Sequence, residues 1–185
     1  MSRFEITELG LGVKAVKRLA LGDARGSLTR LFCAKDLADA GWKKSVAQAN
    51  WVENRLRGTV RGLHYQVAPF AEDKLLFCMD GEIYDVVVDV RLGSPSLLQH
   101  VAVHFSAARG EGLFIPAGFA HGYQCLSDHV KLLYFHSVPH APSAERGLNP
   151  LDPMLKIVWP LAVENMSERD QKHPLLNMTF KGERF

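Results

Sequence analysis

Along the chain, apolar and polar positions alternate over short stretches separated by turn residues. Lys74 to Met79 is apolar after its first residue, and Asp80-Gly81, a dipeptide suited to a two-residue hairpin turn, follows it. The next run, Ile83-Tyr84-Asp85-Val86-Val87-Val88-Asp89-Val90, has the β-branched richness of a strand and stops at Gly93-Ser94-Pro95. From Gln99 to Phe105 the alternation is clean, with Val101, Val103 and Phe105 on one face. Gly110 to Gly112, Pro116 to Gly118 and Ser127-Asp128 punctuate further short apolar segments. Helix is sparse: a turn or two around Ala34 to Trp42, and a short piece near Ser167 to Lys172. There Ser167 is a candidate N-cap and Asp170 falls at the third position of a capping box. The polar, turn-rich stretch beyond Pro160 is predicted to wrap the surface. Many short strands with turns between them predict an all-β chain built as an antiparallel sandwich or barrel.

Composition narrows the class. A chain of 185 residues suits one domain, here taken as 1–185, with a sizeable core. Hydrophobic residues at 47% and charged residues at 23% are those of a soluble globular protein. A net charge of +2 with dispersed basic residues excludes the strong field that nucleic-acid or membrane binding uses, so any bound anion is expected to be small. Met1 to Glu5 shows no secretory pattern, and no apolar run approaches the ~20 residues of a membrane span. Cys33, Cys78 and Cys125 are odd in number and lack CxxC spacing. They fit reduced, packed thiols in a cytoplasm better than disulfides or a zinc site.

Candidate chemistry begins at Gly58-Thr59-Val60-Arg61-Gly62-Leu63-His64-Tyr65-Gln66. In extended backbone His64 and Gln66 share one face, and Leu63 and Tyr65 take the other. A half-buried strand histidine is the plain reading, but three polar side chains crowded into an apolar sheet favour a ligand site. Strict alternation puts Arg61 on the wrong face, so a shared site requires a bend, for which Gly62 is suited. Lys74 opens an apolar strand, where a lysine is ordinarily solvated. His121 lies among the shaping residues Pro116, Gly118 and Gly122, where the plain reading is a turn. Tyr134 shares its strand face with Leu132 and His136, and a satisfied core tyrosine is the plain alternative. A transition-metal site is not expected. No His-x-His occurs, Gln66 stands where a second ligand would, and His100 and His104 would lie roughly 13 Å apart along a strand.

Longer runs carry a resemblance. RGLHYQ (Arg61 to Gln66), KLL with GEIYDVVVDVRLGSPS (Lys74 to Ser96), FIPAGFAHGY (Phe114 to Tyr123) and NPLDP (Asn149 to Pro153) resemble the dTDP-4-dehydrorhamnose 3,5-epimerase family. So do GDARGSLTRLF (Gly22 to Phe32), QANW (Gln48 to Trp51) and SERDQKHP (Ser167 to Pro174), in one order over most of the chain. The resemblance implies a cupin jelly roll with a few short helices, a homodimer, no cofactor or metal, and a nucleotide-sugar substrate in deoxysugar and surface-polysaccharide (lipopolysaccharide) synthesis. It implies His64 as base, Tyr134 as proton donor and Asp170 as partner of the base. Substrate-binding positions carry over to Arg25, Gln48, Asn50, Arg61, Lys74, His121, Glu145 and Arg169.

The chemistry suits that set. A proton beside a ketone is weakly acidic, and a neutral imidazole is matched to remove it near neutral pH. Cationic groups and donors stabilise the enolate, and inversion then needs an acid on the opposite face. Leu28, Arg30 and His140 depart from the phenylalanine, glutamate and stacking tyrosine of the thymidine-specific enzymes. Arg30 and His140 are therefore counted as binding positions for a base that CDP or GDP could supply. The competing readings are a 4-ketosugar isomerase, which needs no opposite-face acid, and a non-catalytic sugar-nucleotide-binding cupin, which needs no acid–base pair.

Overall fold

The computed structural model describes residues 2–185. Its strands are β1 (Phe4–Gly10), β2 (Val13–Arg18), β3 (Ala20–Asp23), β4 (Gly26–Thr29), β5 (Gln48–Asn54), β6 (Val60–Gln66) and β7 (Lys74–Asp80). They continue as β8 (Glu82–Asp89), β9 (His100–Ser106), β10 (Glu111–Ile115), β11 (Phe119–Cys125), β12 (Val130–His136) and β13 (Glu145–Gly147). Two four-residue helices, α1 (Ala34–Leu37) and α2 (Glu168–Gln171), complete the elements used below.

Two antiparallel sheets face each other, in the orders β1-β2-β10-β7-β12-β5 and β13-β6-β11-β8-β9. The crossed order is that of a jelly roll, as expected. Between the sheets lies a core that includes Leu76, Ile83, Val87, Phe105, Leu113 and Leu132. Full burial of each such side chain contributes roughly 1.5–3 kcal/mol. Val101, Val103 and Phe105 do share the face turned to this core. Both outer faces are covered as well. The segment around α1 lays Leu37 and Trp42 against Leu75 and Phe77, and the C-terminal stretch lays Leu155, Trp159 and Phe180 against Val86 and Val88. The run Ile83 to Val90 is thus almost unbroken in its apolar residues because both of its faces are covered.

One expectation fails. Asp80-Gly81 does not close a hairpin: β7 pairs with β10 and β12, whereas β8 pairs with β9 and β11 in the other sheet. Gly81 supplies the positive φ of +76° that a tight turn uses. Here the turn makes a corner between sheets, because each strand buries both faces only by taking separate long-range partners. The Ser167–Asp170 cap is half made. Ser167 Oγ accepts from the Asp170 N–H at 3.1 Å, but the Asp170 carboxylate is turned elsewhere. Among the described residues no helix is long and apolar enough to cross a membrane.

Candidate active site

At one end of the sandwich the space between the sheets opens into a cavity of about 380 Å³. Such a volume falls in the range of small-molecule sites. Gln48 and Asn50 of β5 and Tyr134 and His136 of β12 line it from one sheet. Arg61 and His64 of β6 and His121 of β11 line it from the other. His140, Glu145 and Arg169 also contribute to its wall.

A bulge brings Arg61 and His64 to the same cavity. His64 pairs with His121 and Arg61 with Tyr123, so two residues of β6, Gly62 and Leu63, stand opposite one of β11, Gly122. Gly62 takes φ +119°, and a Cβ there would stand 2.6 Å from the Gly122 Cα. The bend expected at Gly62 therefore exists, and it requires a glycine on both strands. Arg61 Nε donates to Asn54 Oδ1 at 2.7 Å.

His64 Nε2 lies 2.7 Å from Asp170 Oδ1, and the Gly62 N–H donates to the other Asp170 oxygen at 3.2 Å. Burial pushes the Asp170 carboxyl up, but hydrogen bonds from His64, the Gly62 N–H and Ser167 outweigh it and bring it down to about 2. Arg169 Nη2 also stands 2.9 Å from His64 Nε2. One nitrogen cannot donate to Asp170 and accept from Arg169 together. The Asp170 bond prevails, because that side chain is 3% exposed while Arg169 is 56% exposed and has Glu145 Oε2 at 3.1 Å. Nδ1 of His64 is left without a protein partner among the described residues.

Tyr134 answers from the facing sheet. Its ring is buried against His121 at 6.0 Å and His136 at 5.8 Å. Burial, then the nearby Tyr123 and Asp85, raises its phenol well above the usual value, so the hydroxyl keeps its proton. Tyr123 is satisfied by Asn54 Oδ1 at 3.2 Å, whereas the Tyr134 hydroxyl has no protein partner. Among the described residues His173 Nε2 is the sole fully buried side-chain polar atom without one, so the Tyr134 hydroxyl opens to the cavity.

Lys74 is not solvated. Its ammonium is buried, donating to the His64 carbonyl at 3.1 Å and lying 3.3 Å from Glu72 Oε1. His121 Nε2 is held by both Asp85 oxygens at 2.9 and 3.0 Å. Asp85, Glu72 and His136 are cavity or supporting groups that the motifs passed over. Signals were present, because Asp85 interrupts an apolar run and His136 shares the parity of Tyr134. Arg25 and Arg30 are not brought to this cavity. Arg25 is 90% exposed at the turn of the β3–β4 hairpin, paired with Asp23, and Arg30 is paired with Asp36.

His173 was also missed. Its ring meets that of His64 edge to face at 6.3 Å and lies against Gly147. His64, Asp170 and His173 bring one ligand atom each within 4.8 Å of one another, a donor set that zinc accepts. Arg169 shares that corner, with Nε 3.6 Å from Asp170 Oδ1, and its fixed charge opposes a divalent cation.

Fold and cavity together define a jelly-roll enzyme with a carboxylate-held imidazole and a free phenol on facing walls. Residues 9–178 match the dTDP-4-dehydrorhamnose 3,5-epimerase family. A dTDP-4-dehydrorhamnose 3,5-epimerase of Sinorhizobium fredii is 38% identical over 89% of this chain and 85% of its own. A dTDP-4-dehydro-6-deoxyglucose 3-epimerase of Streptomyces bikiniensis is 37% identical over 83% of this chain and 79% of its own. The solved dTDP-6-deoxy-D-glucose-3,5-epimerase of Legionella pneumophila, in complex with dTDP-4-keto-L-rhamnose, superposes with a TM-score of 0.89 at 34% identity. That match covers 98% of both chains. The chain belongs to the dTDP-4-dehydrorhamnose 3,5-epimerase family and is an epimerase.

Proposed function

We propose that this epimerase inverts C3, C5 or both of a nucleotide-linked 4-keto-6-deoxy sugar, with His64 as base and Tyr134 as acid. The observation that carries the reading is that His64 and Tyr134 reach one cavity from facing sheets, each with its reactive atom free of protein partners. With Nε2 held by Asp170, Nδ1 takes the proton beside the ketone, and the carboxylate stabilises the imidazolium that results. Arg61, Lys74 and His121 supply charge and donors to the enolate and the diphosphate. Tyr134 then protonates the carbon from the other side, a step that a 4-ketosugar isomerase would not need. Gln48, Asn50, His140, Glu145 and Arg169 hold the rest of the substrate.

The active form is proposed to be a homodimer. The β3–β4 hairpin pairs with no other strand, carries Leu28 at 71% exposure, and keeps Arg25 away from the cavity of its own chain. A second copy would cover the leucine and receive the arginine. A cytoplasmic setting is supported by three free thiols, two of them buried. The sugar product would serve surface-polysaccharide synthesis.

The deciding experiment is incubation with 4-keto-6-deoxy nucleotide sugars in deuterated water, followed by NMR. Deuterium entering at C3 or C5 with inverted product is expected. Exchange nowhere, with every such substrate, would remove the reading.

A further inference from the structure

Gln48 and Asn50 line the cavity, and an amide side chain can present either its NH2 or its carbonyl to a ligand. Which one it presents is decided by its other partners. Here those partners form a chain of hydrogen bonds with fixed ends. At one end is Glu72, whose side chain is 8% exposed. Burial pushes its carboxyl up, but the His136 hydrogen bond and the Lys74 charge outweigh this and hold it below the ordinary value. It is therefore a carboxylate, which only accepts. Glu72 Oε2 lies 2.8 Å from His136 Nδ1, so that nitrogen carries a proton. At the other end is the backbone N–H of His140, which only donates, to Gln48 Oε1 at 2.9 Å.

The middle follows from the ends. Gln48 accepts with its oxygen, so its Nε2 donates to Asn50 Oδ1 at 3.0 Å. Asn50 Nδ2 then faces His136 Nε2 at 3.4 Å, the longest link, and needs a lone pair there. His136 is accordingly the neutral Nδ1–H tautomer, the one that Glu72 demands from its own side. Each amide nitrogen in the chain carries a second hydrogen that the chain does not use.

We propose that Glu72 and His136 are positioning residues that fix Gln48 and Asn50 as donors toward acceptor oxygens of a nucleoside diphosphate in the cavity. The inference rests on the reading of function above for the identity of the ligand. The chain passes through no atom of the His64–Asp170 pair. Losing it is therefore expected to weaken ligand capture more than proton abstraction.

The first test uses the unaltered protein labelled with 15N-histidine. His136 is expected to show a protonated Nδ1 and a bare Nε2 at neutral pH, and the Nε2–H tautomer or an imidazolium would overturn the chain. The second uses His136→Phe, which keeps an aromatic ring beside Tyr134, and Glu72→Met, with dTDP and GDP as probes in calorimetry. About tenfold weaker binding, or about 1.4 kcal/mol, is expected in both, with KM raised by a larger factor than kcat for deuterium exchange is lowered. Glu72→Gln, whose carbonyl can still accept from His136, is expected to recover part of the loss. Plain electrostatics predicts the reverse for Glu72→Met, because removing an anion beside a diphosphate should tighten binding. Tighter or unchanged binding in Glu72→Met and His136→Phe would overturn the positioning role. If the unaltered protein binds no nucleoside diphosphate, the function reading and the ligand named here fall, while the imidazole tautomer still decides the chain.

Discussion

His64 and Asp170 are separated by 106 positions in the sequence, yet Nε2 of one stands 2.7 Å from Oδ1 of the other. The pair forms because the N-cap of α2 turns the Asp170 carboxylate inward, where the Gly62 N–H of the β6 bulge accompanies it. His64 is thereby held by one nitrogen and open at the other. This geometry makes the two proposed proton-transfer roles separable. His64→Asn should abolish both deuterium wash-in and epimerised product. Tyr134→Phe should lose inversion but keep some exchange, because the enolate can still form and be quenched by His64 from its own side. Groups of this kind contribute roughly 10²- to 10⁴-fold, and NMR time courses resolve such losses. Normal exchange in His64→Asn with none in Tyr134→Phe would reverse the assignment.

Asp170→Asn is expected to cut kcat by roughly 10²-fold or more, since the amide neither fixes the imidazole tautomer nor stabilises its charge. It also has a stability signature. A carboxyl lowered from 3.8 to about 2 contributes stability that is complete above its unfolded value and fades as pH falls through about 2. The advantage of the unaltered protein over Asp170→Asn, on the order of 2 kcal/mol, should shrink as pH falls from about 4 through about 2. Urea titrations across that range check this, and an advantage that holds or grows as pH falls from about 4 to about 2 would contradict the pairing.

Arg25 offers a test of shared sites. Arg25→Ala alone should raise KM by about tenfold or more, although Arg25 stands outside the cavity of its own chain. Mixing Arg25→Ala with His64→Asn subunits should restore part of the activity, because one site of each mixed dimer then holds an intact arginine and an intact base. Mixtures that stay as inactive as the single variants would place both residues in the same chain's site.

Nucleotide choice follows from Leu28, Arg30 and His140. The His140 ring is paired with Glu145 at 3.3 Å rather than free to stack, and Arg30 is paired with Asp36. Among dTDP, CDP and GDP, dTDP is expected not to bind best. Calorimetry that finds dTDP tenfold tighter than both others, about 1.4 kcal/mol, would reject this.

Activity is expected to survive exhaustive chelation, given the Arg169 charge in the corner that His64, Asp170 and His173 share. Loss of activity restored by one added metal would show that the arginine swings away to admit an ion.

The residue order by itself determined the all-β class, the strand at Gln99 to Phe105, the short helical piece after Ser167 and the bend at Gly62. These are local matters of period-two alternation, capping chemistry and a glycine's freedom at positive φ. The ordered motifs also picked out His64, Tyr134 and Asp170, of which His64 and Tyr134 meet at one cavity and Asp170 holds the imidazole of His64. Tertiary structure alone decided three things. Asp80-Gly81 became a corner between sheets, since strand pairing is set by distant partners and not by the turn that joins two runs. Lys74 became a buried cation, since burial depends on what packs above it, here Glu72 and the His64 carbonyl. The chain from Glu72 to His140 was invisible along the sequence, because it joins five side-chain and backbone groups from β5, β12 and two loops. Its direction exists only once both ends are in place.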